Sequence, residues 1–170
     1  MNRSMPRERL IEIFDQVVRE VTRRESGICL APGETAPEGE LFTVYTVFER
    51  GFNTCLSLCA ELSMFVRLTR GMMQKEDVSR RDVEDFAKEY FNVLCGHIVS
   101  RLFQETKIPA RFSPPAFHQG RHVPENHLRH IVLTYAGDRN EHAQLIHLTP
   151  IAAAGEQSES MNLQKEGMSL

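Results

Sequence analysis

The sequence has no apolar run near the roughly 18 residues that cross a bilayer, and its opening stretch, MNRSMPRERL, has no apolar segment of the kind an export leader carries. A cytoplasmic protein with no membrane partner is expected. Nor is there an excess of one charge: 20 Lys and Arg stand against 23 Asp and Glu, giving a formal net charge of −3, with the two signs interspersed. Nucleic-acid binders carry a basic excess or a basic stripe, so no nucleic-acid partner is expected. Neither G-x-x-x-x-G-K-S/T nor G-x-G-x-x-G occurs, which removes the common phosphate-cradling loops. Cysteine is sparse. Cys29, Cys55, Cys59 and Cys95 fall in predicted strands and helices rather than at framework spacings, and all four read as buried thiols in a reducing compartment. Cys55-x-x-x-Cys59 lacks the second paired spacing that would complete a zinc set.

What the chain does have is the composition of a folded soluble domain, 41% hydrophobic and 25% charged over 170 residues, which fits one core. Leu10, Ile13, Phe14, Val17, Val18 and Val21 recur at spacings of three and four, predicting an amphipathic helix over 6–24 that stops at Ser26-Gly27. Ile28–Leu30 reads as a short strand, and 31–40, with two prolines and two glycines, as a turn-rich loop. LFTVYTVFE (41–49) is a strand by its β-branched and aromatic content, and 52–58 its hairpin partner. A second helix is predicted from about Cys59 to Gln74, with Met64, Met72 and Met73 as core filler.

The third helix is predicted to open at Ser79 with a capping-box-like carboxylate at Asp82 and to run to about Gln104 on a stripe of Val83, Phe86, Ala87, Tyr90, Phe91, Leu94, Ile98 and Leu102. Pro109–Phe112 is extended and Ser113-Pro114-Pro115 a rigid break. Residues 127–136 and 142–149 form a hairpin about Gly137–Asn140. Hairpins with helices segregated between them predict an α+β domain: a largely antiparallel sheet with long helices packed on it. The domain is expected over 1–150, followed by a polar, flexible tail over 151–170.

On the polar side of the third helix, Glu89, Asn92 and Gly96 stand one above another at spacings of three and four. Asn and Gly are both poor helix-interior residues, so something other than helix stability selects them. Cys95 and His97, two apart, point about 200° away from each other and cannot form a thiolate–imidazole pair. The other histidines read as surface or hydrogen-bonded groups.

Glu89-Tyr-Phe-Asn92-Val-Leu-Cys-Gly96 resembles the E-x-x-N-x-x-x-G signature of the CheC/CheX chemotaxis phosphatases, and Ser113-Pro114-Pro115 resembles the segment that follows that helix in CheX-like domains. The order of elements fits as well. CheC-type members carry two signature helices; the equivalent position on the preceding helix here is Glu61 followed by Met64, with no Asn, which points to the single-site, CheX-like branch. The resemblance implies hydrolysis of the aspartyl phosphate on a phosphorylated CheY-like response regulator. Asn92 would orient the attacking water and Glu89 would dock the receiver lysine; Gly96 would be structural, allowing close packing. The protein would hold no cofactor of its own, since Mg2+ is expected on the receiver. A homodimer paired through sheet edges is implied too. The alternative is a non-catalytic adaptor of the same fold that binds a receiver or signalling complex. Tyr90 and Phe91, bulkier than is usual within the signature, would favour the adaptor if they crowded the docking face.

Overall fold

Two of the three helices begin or end where their local chemistry requires. The structure, a computed structural model describing residues 5–50 and 54–151, has helix α1 over Arg7–Ser26, closed by Gly27 at φ 78°, a left-handed cap that glycine adopts without strain. Strand β1 (Leu30–Pro32) follows, then β2 (Leu41–Arg50) and β3 (Cys55–Glu61), and helix α2 (Leu62–Met73) starts directly from β3. Helix α3 (Arg80–Thr106) opens with the predicted capping box: the Asp82 N–H donates to Ser79 Oγ (3.1 Å), and the Ser79 N–H donates to Asp82 Oδ2 (2.9 Å). Accepting the Ser79 N–H holds the Asp82 carboxyl below its ordinary pKa. Strands β4 (Arg111–Phe112), β5 (Ala116–Gln119), β6 (His127–Gly137) and β7 (His142–Pro150) complete the chain.

The fold is the expected α+β arrangement. Seven strands form one sheet in the order β1-β6-β7-β3-β2-β4, with β5 also paired to β2, and every neighbouring pair is antiparallel. The three helices share one core with the sheet, built from Ile13, Val17, Phe65, Leu68, Phe91, Leu94 and Ile98 of the helices and Val44, Leu58 and Leu145 of the strands. Tyr90, fully buried, meets Thr22 of α1 hydroxyl to hydroxyl at 2.5 Å. At Gly71 of α2 an added Cβ would come within 2.4 Å of the Ser26 carbonyl oxygen, so α2 can cross the end of α1 only with glycine there.

Several boundaries differ from the sequence reading. The second helix starts at Leu62 rather than about Cys59, because Cys59 and Ala60 stay in β3, paired with Gln144 and Ala143 of β7. The start of the predicted 52–58 strand falls outside the described residues, as does the 151–170 tail apart from Ile151, whose N–H donates to the Asn126 carbonyl (2.7 Å). The first strand is 30–32 rather than 28–30, so Cys29 lies just ahead of it and is exposed, contrary to the expectation of four buried thiols. Cys55, Cys59 and Cys95 are buried as expected, and burial pushes the Cys55 thiol up to about 11.

Residues 120–126 must cross the sheet from β5 to β6, past the intervening β2, β3 and β7. On the way the Arg121 guanidinium donates to the Pro37 carbonyl (2.8 Å) and the His122 ring stacks on Tyr45 at 4.2 Å. Strands β3 and β7 are buried on both faces, from Cys55 to Ala60 and from Ala143 to Leu148. Within β7, His147 sits beneath α1 against Phe14, with its Nδ1 3.1 Å from Nδ1 of His130 at the β6 bulge.

Candidate functional site

Helix α3 is fixed from below. Val83, Ala87, Tyr90, Phe91, Leu94, Cys95, Ile98 and Leu102 are buried along it, leaving the opposite face to solvent. Glu89 and Asn92 both lie on that exposed face. They line an open groove of about 490 Å3 together with Asp85, Lys88, Phe112 and Pro115.

The far wall of the groove is the segment after α3, and its position follows from the edge of β2. Phe112 pairs with Phe48 near the end of β2, and Ala116 pairs with Tyr45 further back. Ser113 ties the interval down: its N–H donates to the Val47 carbonyl (2.9 Å), and its Oγ accepts the Val47 N–H (3.1 Å). Thr46 Oγ1 adds a bond to the Ser113 carbonyl. Prolines are tolerated at a sheet edge because no N–H is needed there, and Pro114 and Pro115 stand rigidly beside α3. The two features singled out in the sequence, the helix stripe and Ser-Pro-Pro, therefore meet in one groove.

The charges around the groove are largely neutralised within the helix. Lys88 pairs with Glu84 at 3.1 Å and Arg81 with Asp85 at 4.0 Å, each four residues apart. Among the described residues, no side-chain hydrogen bond or ion pair involves Glu89 or Asn92. One is an unpaired carboxylate and the other an unpaired amide, both on a rigid support. Asp85 was not singled out from the sequence, although it stands four residues before Glu89 on the same face. Its signal was helical spacing alone, which a solvated face shares.

Glu61 and Met64 make the contrast. Glu61 is the N-cap residue of α2, and its Oε1 accepts the His142 N–H (2.9 Å) and lies 3.4 Å from His142 Nδ1. Its Oε2 faces the Glu38 N–H at 3.5 Å. Met64 is buried in the core. This carboxylate is already satisfied, and the side chain three residues on cannot reach solvent.

The other expectations divide. Tyr90 and Phe91 are both fully buried and leave the face of α3 clear. Among the described residues Gly96 does not serve close packing: an added Cβ there would meet no atom beyond its own helix backbone within 4 Å. Cys95 is buried while His97 is exposed, with its Nε2 2.9 Å from the Arg24 guanidinium, so the two point apart. Among the described residues no helix is long and apolar enough to cross a membrane.

Comparison with known proteins agrees with this fold. Residues 42–135, from β2 into β6 and including the whole of α3, match the family described as chemotaxis phosphatase CheX. Among solved structures, the chain is similar to the chemotaxis protein CheX of Desulfovibrio desulfuricans, with a TM-score of 0.66 at 15% identity over 83% of this chain and 99% of that one. It is also similar to CheX of Borrelia burgdorferi, solved as a CheX–CheY–BeF3–Mg2+ complex, with a TM-score of 0.62 at 15% identity over 82% of this chain and 96% of that one. FliY of Thermotoga maritima gives a TM-score of 0.60 at 12% identity, over 91% and 96% of the two chains. At such identities these likenesses carry the fold alone, and no curated protein sequence matches the chain. The family match spans more than half of the chain and contains the groove helix: the protein belongs to the CheX family of chemotaxis phosphatases.

Proposed function

We propose that the protein hydrolyses the aspartyl phosphate of a CheY-like response regulator, and that Asn92 and Glu89 carry out its share of the reaction. The observation that carries this reading is the pair itself: an amide and a carboxylate, exposed, unpartnered and one turn apart on a helix whose other face is locked into the core. The CheX complex with CheY, BeF3 and Mg2+ from B. burgdorferi supports a receiver as the partner.

The chemistry needs little more. Water attacks phosphorus, the bond from phosphorus to the aspartyl oxygen breaks, and inorganic phosphate leaves the free carboxylate behind. Such transfers are governed by positioning and electrostatics rather than by covalent help from the enzyme. The Asn92 side chain accepts a hydrogen bond through Oδ1 and donates through Nδ2, and it stays neutral at any working pH, so it can hold a water in line. Glu89, with no partner among the described residues, pairs with the receiver lysine and sets the docking register. Mg2+ belongs to the receiver in this scheme, and this chain contributes no cofactor. Residues 1–150 act as a single domain, in the cytoplasm where the receiver is found.

A homodimer joined through sheet edges is part of the same proposal. The available edges are β1, a three-residue strand ending at Pro32, and the β4/β5 side of β2. Light scattering is expected to give twice the chain mass, and a mass of 19.5 kDa at every concentration would count against pairing.

The test of the activity is the lifetime of a phosphorylated receiver mixed with the purified protein. A shortened lifetime is expected. Tight binding with an unchanged lifetime would instead establish the adaptor.

A further inference from the structure

Gly96 lies one turn beyond Asn92 on the exposed side of α3, and among the described residues nothing beyond its own helix backbone comes within 4 Å of the place its Cβ would occupy. Apart from proline, glycine is the poorest residue for a helix interior. Its common structural reason, a neighbouring backbone pressed against it, holds at Gly71 and fails at Gly96.

The same line of the helix carries a second unexplained residue. Phe103 is eleven residues beyond Asn92, which at 100° and 1.5 Å per residue places it about 20° around and about 16 Å along the axis. Its side chain is 45% exposed, with the Lys107 ammonium 5.8 Å from the ring centre. Asn92, Gly96, partly buried Val99 and Phe103 thus follow one another along a rigid rod. On the other side of Asn92 the charged residues are already paired, Lys88 with Glu84 and Arg81 with Asp85.

We infer that the stripe from Gly96 to Phe103 is a second contact for the receiver that presents its phosphate to Asn92. The receiver makes its closest approach at Gly96, and an apolar patch beside its active site covers Phe103. This rests on the reading of α3 as the receiver-docking helix. Size supports the occupant: a folded domain of about 100 residues has a radius of gyration of about 13 Å. A receiver centred on Asn92 therefore extends along α3 to the neighbourhood of Phe103. Continuity supports it too, because no paired charge interrupts the line between the two residues.

Steady-state dephosphorylation of a phosphorylated receiver by wild type, Gly96→Ala, Phe103→Ala and Phe103→Leu, with thermal melting and sedimentation of each variant, tests the inference. Phe103→Ala is expected to raise KM about tenfold, the scale of a modest interface anchor, with kcat within about twofold of wild type. Phe103→Leu should restore most of the loss. Gly96→Ala should raise Tm, because alanine is the better helix former, while also raising KM; a helix that merely tolerates glycine would show the first effect without the second. If wild type does not shorten the phosphate lifetime, the receiver reading itself falls and takes the inference with it. If wild type is active and both alanine variants keep its KM, the inference alone is overturned. Loss of self-association in Phe103→Ala with unchanged KM would assign the stripe to a second copy of the chain and overturn it as well.

Discussion

Two glutamates in this protein each precede another side chain by three residues on or at the start of a helix, and their surroundings could hardly differ more. Glu61 closes β3 and opens α2, with the His142 and Glu38 N–H groups facing its two oxygens, and Met64 is sunk in the core. Glu89 and Asn92 sit in mid-helix on an exposed face, with no intramolecular partner among the described residues. A carboxylate that its own fold has satisfied is part of the scaffold. One left unpaired on a rigid support, beside an amide, has its interaction free energy available for a partner. The spacing is the same at both places; only the register of each helix against the sheet separates them.

Changes at the two places should break different things. Glu89→Ala is expected to weaken the complex with the phosphorylated receiver by about 2–5 kcal/mol if the pair is desolvated on docking, with Tm unchanged because nothing among the described residues holds that carboxylate. Isothermal titration against the phosphorylated receiver measures the first quantity and calorimetric melting the second, and an equal loss in both would place Glu89 in the scaffold.

The next largest effect concerns pH and leaves the groove untouched. Burial, and next to it the neighbouring His130, depress His147 from 6.5 to about 4. Between those values the unfolded chain binds the proton that the folded chain refuses, so stability is complete above about pH 6.5 and declines as pH falls towards 4. The loss reaches about 3 kcal/mol for the full shift. Urea titrations across that range should show the slope, and His147→Gln should flatten it.

Glu61→Ala should cost about 1–3 kcal/mol of folding stability by leaving the His142 N–H without its acceptor, while the dephosphorylation rate per folded molecule stays at the wild-type value. A fall in that rate with unchanged stability would make Glu61 a second docking site after all. The smallest change expected is Ser79→Ala, which removes the cap of α3 and should lower stability by about 1 kcal/mol, read as a shift in the urea midpoint with no change in m-value.

Much of this was legible from local sequence because it is set by local chemistry. The Ser79–Asp82 box, the Gly27 stop and the apolar stripe of α3 each specify a helix boundary or face without help from distant residues. The sheet order was not legible. Strand β5 is only four residues long, follows two prolines, and exists because the edge of β2 offers Phe42–Tyr45 as partners. The β3–α2 boundary misled for the same reason, since Cys59 and Ala60 fit a helix start by pattern but are held extended by β7. Exposure of Cys29 turned on a two-residue shift of β1, which pairing with β6 decides. In the groove, Glu89 and Asn92 could be read from their spacing. Phe112 and Asp85 could not: one arrives there through the β2 edge, and the other looks like any solvated helix residue.

The most direct test of the central claim is a single-turnover measurement with Asn92→Ala held in excess over the phosphorylated receiver, so that every receiver is bound. The proposed mechanism predicts that the complex forms nearly as tightly as with wild type, while the aspartyl phosphate decays at the receiver's own rate. Decay as fast as with the wild-type protein would contradict it, because the water would then be held by some group other than Asn92.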